Sequence, residues 1–176
     1  MYRGFKPVLW STVEKTALAD AEVEYQDHKS DTIYASFPVK SSNIKELNDS
    51  EIVIWTTTPW TIPANKALAY NESLEYLLIE VNDDGDFKNK KIVIADALID
   101  SVVKDNKIQS FKKLKNFKGK DLKGTICNHP FLKLGYEYDI PMLEAHFVTT
   151  EQGTGIVHCA PSLSLIHISE PTRQLQ

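Results

Sequence analysis

Ile52-Val-Ile-Trp-Thr-Thr-Thr-Pro-Trp-Thr-Ile-Pro-Ala-Asn65 is the stretch around which the rest of the chain is arranged. Ile52, Val53, Ile54 and Trp55 are β-branched or aromatic and open it as a strand. Three hydroxyls follow, on Thr56, Thr57 and Thr58, directly before Pro59. A residue ahead of proline is pushed out of the α region, so Thr58 is expected to be extended. Alternation along the strand directs Thr56 and Thr58 to one face and Thr57 to the other. Pro59 and Pro63 then stop the strand and stiffen the turn. The product is a rigid ledge of donors and acceptors beside two indoles, Trp55 and Trp60. Taken alone, such a run also suits an ordinary sheet surface.

Working outward, Thr32–Val39 alternates, with Ile33, Ala35, Phe37 and Val39 on one face, and reads as a half-buried strand. Ser41–Ser50 between them is polar and loop-like. After the ledge, Ala67–Tyr70 resumes an extended form and Tyr76–Val81 is a strand. The Asn82-Asp-Asp-Gly-Asp86 turn returns it to Lys91–Ala95 as a hairpin. Asp96 is placed to cap a helix over Ala97–Val103, whose Leu98, Ile99, Val102 and Val103 form one apolar stripe. Gly124–Tyr138 reads as loop with short extended pieces. Met142–Thr150 reads as a strand, Gln152-Gly-Thr-Gly155 as a turn, and Ile156-Val-His-Cys159 as the returning strand. Toward the N-terminus, a short apolar strand ends at Trp10, Thr12–Ala21 forms a short helix, and Glu22–Gln26 alternates as a strand. About seven short strands and two short helices favour a mixed α/β, β-rich domain: a closed or nearly closed β-barrel decorated by short helices.

The chain has 176 residues and a formal net charge of −4. That length implies one domain able to bury roughly 70% of its unfolded surface without staples. The charge balance does not suggest a dedicated nucleic-acid binder. Cys127 and Cys159 cannot make a metal site alone and need not pair, so a reduced, cytoplasmic setting is expected. Cys127-Asn-His129 offers two metal-ligand types without a second pair, too few for a site. No apolar run approaches the ~20 residues of a membrane helix, and the N-terminus does not read as a signal peptide. The one compositional shift is Lys104–Lys123, with eight lysines against Asp105 and Asp121. It is either a solvated face and loop or a patch whose Lys112, Lys113 and Lys115 contact RNA phosphates.

Thr56-Thr-Thr-Pro-Trp-Thr-Ile-Pro-Ala-Asn65 resembles the editing-site signature of the isoleucyl-tRNA synthetases. The valine and leucine enzymes carry an arginine after two threonines, so the third threonine and the tryptophan argue for the isoleucine member. A second segment, Gly153-Thr-Gly-Ile-Val-His-Cys-Ala-Pro161, resembles the same editing domain about a hundred residues on. A lone histidine at a strand end is usually structural; the joint presence of both segments reverses that expectation for His158. The run from Lys6 to Tyr25 looks like the lead-in to the editing insertion of this family. Relatives often place two cysteines there, whereas Ser11–Lys15 has none, so no zinc is expected. The resemblance covers Met1 to Ser162. It implies an editing-domain fragment over residues 1–162, with 1–21 leading in from a catalytic domain and Met1 an internal or arbitrary start.

The family's next residues include an aspartate nine positions beyond His158 that holds the substrate's α-ammonium group. Here that position is His167, inside Leu163-Ser-Leu-Ile-His-Ile-Ser-Glu-Pro-Thr-Arg173. This stretch resembles translated sequencing adapter, so residues 163–176 are expected to be a poorly packed non-native tail. Neither His-Ile-Gly-His nor Lys-Met-Ser-Lys-Ser occurs, so ATP would serve only the parent ligase and editing needs no cofactor.

The function implied by the resemblance is hydrolysis of the ester in valyl-tRNA(Ile), with the 3′ end of that tRNA and the rest of the synthetase as partners. Valine differs from isoleucine by one methylene, worth only about 1–3 kcal/mol in an apolar pocket; isoleucine enzymes are the usual illustration of that limit. A second sieve that admits only valine relieves it. A threonine hydroxyl is a poor nucleophile without a base, so Thr56, Thr57 and Thr58 are read as groups that bind the terminal adenosine and aminoacyl moiety and orient a water. His158 would line the side-chain pocket, with Trp60 as a wall, Asn65 fixing the turn or contacting substrate, and Gly155 beside the substrate. Without the aspartate, turnover by this chain is expected near background. The alternatives are a non-catalytic module that binds tRNA ends and an editing factor acting in trans.

Overall fold

A computed structural model describes residues 8–24, 31–83 and 85–161. The tail expected at 163–176, the strand end at Gln26 and the position of His167 lie outside the described residues. The chain divides into two compact units, Met1–Ser30 and Asp31–Gln176.

In the first unit, β1 (Trp10–Ser11) pairs antiparallel with β2 (Thr16–Ala17). The helix expected over Thr12–Ala21 is therefore not formed. Ser11 Oγ accepts the Glu14 N–H at 3.1 Å, the Lys15 N–H bonds to Ser11 O at 2.9 Å, and Lys15 takes a left-handed φ of 56°. Serine's local bonding has closed a tight hairpin where helix propensity alone pointed elsewhere. A 3-10 turn follows at Asp20–Glu22.

The second unit is built on a nine-stranded mixed sheet. Its strands are β3 (Ile33–Ser41), β4 (Glu51–Thr56), β5 (Ala67–Tyr70), β6 (Glu75–Val81), β7 (Lys91–Ala95), β8 (Phe111–Lys118), β9 (Ile126–Asn128), β10 (Asp139–Glu144) and β11 (Ile156–Cys159). They lie in the order β11-β5-β10-β9-β3-β4-β7-β6-β8. The expected barrel is thus corrected: β11 and β8 end the sheet and do not pair with each other, and closure needs a ladder that returns to its first strand.

Two strands change partners midway. β3 pairs with β4 through Ile33–Pro38, then with β9 at Val39 and Ser41 across an irregularity. β10 pairs with β9 through Asp139–Pro141 and then with β5 from Met142. Such bent strands let a sheet fold over on itself without closing. One core cluster accordingly mixes both wings, with Leu68, Met142 and Ile156 among Phe37, Ile54, Tyr76 and Val93.

The central strands are buried on both faces. Ile52 and Ile54 face that core, while Val53 faces a second cluster with Leu77, Ile79, Ile92 and Ile94. The one α-helix among the described residues, α1 (Ile99–Asp105), covers this second face through Ile99 and Val102. Each such aliphatic side chain contributes roughly 1.5–3 kcal/mol on burial. The helix starts two residues later than expected, after a 3-10 turn at Asp96–Leu98, and Asp96 makes no side-chain cap bond. No helix among the described residues is long and apolar enough to cross a membrane.

Two further expectations are corrected. The lysine-rich stretch contains β8, an edge strand antiparallel to β6. Lysines at its exposed positions hide the strand pattern, and lysine is a common guard against edge-to-edge pairing. The strand expected over Met142–Thr150 runs instead from Asp139 to Glu144, and it is no hairpin partner of Ile156–Cys159. β5 lies between them, parallel to β10 and antiparallel to β11.

Candidate functional site

The ledge forms where β4 ends. Thr56 is its last residue and is buried; Thr57 is exposed and Thr58 half-buried. Thr58 sits at φ −127°, ψ 69°, outside the helical region as proline demands. Its N–H donates to Thr56 Oγ1 at 3.1 Å, and the two hydroxyl oxygens stand 3.2 Å apart. Pro59 opens a 3-10 turn, Pro59–Ala64. Thr61 donates twice to Thr58 O, from its N–H at 3.0 Å and from its hydroxyl at 2.7 Å.

His158 arrives from β11, 97 residues along the chain from Thr61. Its Nε2 lies 3.0 Å from Thr61 Oγ1, and its Nδ1 lies 3.5 Å from Asn65 Nδ2. These contacts assign the proton. Thr61 has one hydroxyl hydrogen, and Thr58 O can only accept it, so His158 Nε2–H donates to Thr61 Oγ1. His158 Nδ1 then accepts from the Asn65 amide. The amide's own orientation is set by Ala67 O, which accepts from Nδ2 at 3.0 Å; flipping it would set two acceptors together. A directional chain results: Asn65 to His158 to Thr61 to the backbone of Thr58. Asn65 is fully buried, and its Oδ1 is the one buried side-chain polar atom without a hydrogen-bond partner among the described residues.

Both motifs open onto one cavity of about 480 Å³. Thr56, Thr57, Thr58, Trp60, Gly155 and His158 all line it. Asn65 does not; it stands behind His158. Trp60 is 71% exposed and forms part of the rim. Gly155 adopts a φ of +72°, and a Cβ there would fall 2.4 Å from Ala95 Cβ, so only glycine lets the loop approach β7 this closely. Sequence reasoning passed over Thr61, Phe147, Thr149 and Gln152, which also line the cavity. Thr61 had a readable signal: a hydroxyl three residues after Thr58 in a proline-flanked turn can cap the Thr58 carbonyl. The other three sit in an irregular segment whose placement no periodicity announces.

No described lining residue is an aspartate, glutamate, lysine or arginine. The cavity offers hydroxyls, an imidazole in one tautomer, backbone and indole. Lys112, Lys113 and Lys115 lie on β8 and not around it. Lys113 lies 4.0 Å from Asp96, Lys115 lies 2.7 Å from Glu46, and Lys112 stands opposite Glu80 in the ladder. As for Cys127 and His129, the thiol is buried, its pKa pushed up to about 12 by that burial. Both ring nitrogens of His129 already hold partners.

Comparison with known proteins follows the same direction. The family model described as tRNA synthetases class I (I, L, M and V) matches residues 1–157. The chain belongs to the class I tRNA synthetases. It is 78% identical over 162 residues to an isoleucine–tRNA ligase of Pelagibacter ubique, covering 92% of this chain and 18% of the relative. It is 45% identical over 168 residues to that of Gluconobacter oxydans, covering 92% and 18%. This chain therefore spans less than a fifth of the length of these curated relatives. In fold it is similar to the crystallised GlLeuRS-CP1, with a TM-score of 0.57, 14% identity and coverage of 74% and 55%. It is also similar to the Plasmodium knowlesi cytosolic leucyl-tRNA synthetase editing domain, at a TM-score of 0.51 and 14% identity, covering 80% and 62%. At 14% identity, both likenesses are likenesses of fold.

Proposed function

We propose that the cavity is an editing site that admits the valyl ester at the 3′ end of tRNA(Ile) and excludes the isoleucyl ester. The observation that carries this reading is the union of two distant segments in one cavity, through the 3.0 Å contact between Thr61 and His158. The similarity to isoleucine–tRNA ligases and to leucyl-tRNA synthetase editing domains supports it.

The geometry suits orientation better than covalent catalysis. Among the described residues the base beside a threonine hydroxyl is His158, whose Nε2 carries its proton toward Thr61 while Nδ1 is turned to Asn65. Thr56 and Thr58 present hydroxyls 3.2 Å apart at the cavity wall, a spacing that positions a ribose hydroxyl or an attacking water. His158 and Thr61, fixed by their mutual bond, form the rigid end of the sieve. A wall that cannot relax turns an extra methylene into overpacking, which costs about 1–3 kcal/mol. With no carboxylate among the described lining residues, this chain would bind the aminoacyl end but turn it over slowly.

The test is binding and hydrolysis by the 176-residue chain. Adenosines bearing valine or isoleucine through an amide would be titrated calorimetrically, and valyl-tRNA(Ile) deacylation followed in parallel. Valyl amide binding roughly tenfold or more tighter than isoleucyl is expected, with deacylation close to background. Equal affinity for the two amides would overturn the sieve; brisk deacylation would show that no carboxylate is required.

A further inference from the structure

We propose that His129 and Tyr138, neither of which lines the cavity, are positioning residues for this site: together they clamp the turn from which Thr61 and Asn65 hold His158. The effect on activity rests on the editing reading above; the structural clamp does not.

The turn Pro59–Ala64 has reason to need outside support. It is a 3-10 segment six residues long, a form with poor hydrogen-bond geometry beyond three or four residues. Pro63 lies inside it and contributes no N–H. Yet this turn carries Thr61 and leads directly into Asn65, two residues that contact the imidazole of His158. A shift of the turn backbone moves both contacts at once.

Two side chains from the segment between β9 and β10 hold its carbonyls. His129 Nε2 donates to Ile62 O at 2.9 Å. The Tyr138 hydroxyl lies 3.0 Å from Asn65 O and 3.4 Å from Pro63 O, so it donates chiefly to the former. The carbonyls of Ile62 and Asn65 are thus held by a neighbouring segment.

The clamp is itself fixed. His129 is 1% exposed, and its Nδ1 accepts the Phe131 N–H at 3.1 Å. With Nδ1 accepting, the proton must sit on Nε2, where Ile62 O receives it. Tyr136 stacks on the ring at 4.7 Å with a 16° interplanar angle, and Tyr138 tilts against it at 5.5 Å. Lys66, adjoining Asn65, places its ammonium 3.6 Å over the Tyr138 ring, a cation–π contact that ties the same turn to the same tyrosine. A purely packing role would need rings here but not this alignment of two donors on the carbonyls of Ile62 and Asn65.

The experiment is imidazole ¹⁵N NMR of His158 in the 176-residue chain, in wild type and in Tyr138→Phe, His129→Gln and His129→Phe. Tyr138→Phe keeps the ring and removes only the hydroxyl. His129→Gln keeps an N–H for Ile62 O; His129→Phe does not. Wild type is expected to show His158 as one tautomer, protonated at Nε2. Tyr138→Phe and His129→Phe are expected to give averaged tautomers, with His129→Gln nearer to wild type. Valyl amide affinity should fall roughly tenfold in the first two, since small misplacements at a site carry large penalties. If His129→Phe fails to fold, Tyr138→Phe carries the test. A folded Tyr138→Phe with an unchanged His158 spectrum overturns the clamp. Failure of wild type to prefer the valyl amide would count against the editing reading alone, because the tautomer readout needs no ligand.

Discussion

Thr61 Oγ1 and His158 Nε2 stand 3.0 Å apart across 97 residues of sequence. That single contact brings the 3-10 turn after β4 and an edge strand into one wall, and its direction, imidazole donating to hydroxyl, leaves Thr61 free to cap Thr58. The ledge, the turn and the imidazole therefore behave as one unit.

Thr61→Val tests this unit directly. Valine is nearly isosteric but neither accepts from His158 nor donates to Thr58 O. The imidazole N–H is left facing a methyl, which costs roughly 1–3 kcal/mol where no water replaces the partner. Thermal unfolding should register that loss. The binding ratio between valyl and isoleucyl amides should move toward unity, because the sieve's end can now yield. An unchanged ratio would mean that His158 is held by something other than Thr61.

Asn65→Ala should cost more than its size suggests. Asn65 is fully buried and gives its amide hydrogens to Ala67 O and His158 Nδ1. Truncation leaves a cavity and strands two acceptors, a combination expected to destabilise by about 2–4 kcal/mol. Chemical denaturation measures this. A loss below ~0.5 kcal/mol would show that the asparagine is a passenger, surface-like despite its burial.

Gly155→Ala meets two obstacles. The backbone sits at φ +72°, and the new methyl would fall 2.4 Å from Ala95 Cβ. Left-handed backbone alone costs an L-residue roughly 1–2 kcal/mol, and overpacking adds about 1–3 kcal/mol. Gly155 O also accepts the Tyr76 hydroxyl at 2.8 Å, and Ala95 N–H bonds to Thr154 O at 2.8 Å. The substitution thus strains the point where the loop before β11 meets β7. A melting temperature within a degree of wild type would contradict the geometry.

How much of this was readable from the sequence differs from element to element. The strand Glu51–Thr56 and its stop were legible because β-branched residues run into a proline, a purely local conflict. The second strand of the site, Ile156–Cys159, was legible because two glycines set off an apolar run. Its partner was not: nothing local says that Ala67–Tyr70 slips between it and Asp139–Glu144. The barrel failed for the same reason. Counting strands gives no account of Val39 or Met142, where pairing changes hands. Phe111–Lys118 was hidden because lysine at exposed edge positions looks like loop. Asn65 was visible as part of a motif, but its burial behind His158 was not. His129 was weighed only as a metal ligand beside Cys127, and its hydrogen bond to Ile62 O depends on a chain reversal between β9 and β10 that has no short-range signature.

The last prediction concerns pH. His129 has its pKa lowered, chiefly by burial, with the nearby Lys66 charge adding in the same direction and the hydrogen bond to Ile62 O opposing. The rings packed around it are Phe37, Phe131, Tyr136 and Tyr138, with the Lys66 ammonium over the Tyr138 ring. Protonation would place a hydrogen on Nδ1, facing the Phe131 N–H that now donates to it. A histidine with a folded pKa below its unfolded value binds fewer protons when folded. Its stabilising contribution is complete above about pH 6.5 and is lost as pH falls toward the folded pKa. The slope from this one group is at most ~1.4 kcal/mol per pH unit. Stability measured by urea unfolding should therefore drop between pH 7 and pH 5, and His129→Gln should flatten that drop although it lowers stability at pH 7. If the glutamine variant keeps the full wild-type slope, the titrating group lies elsewhere and His129 is not the acid-sensitive part of the turn.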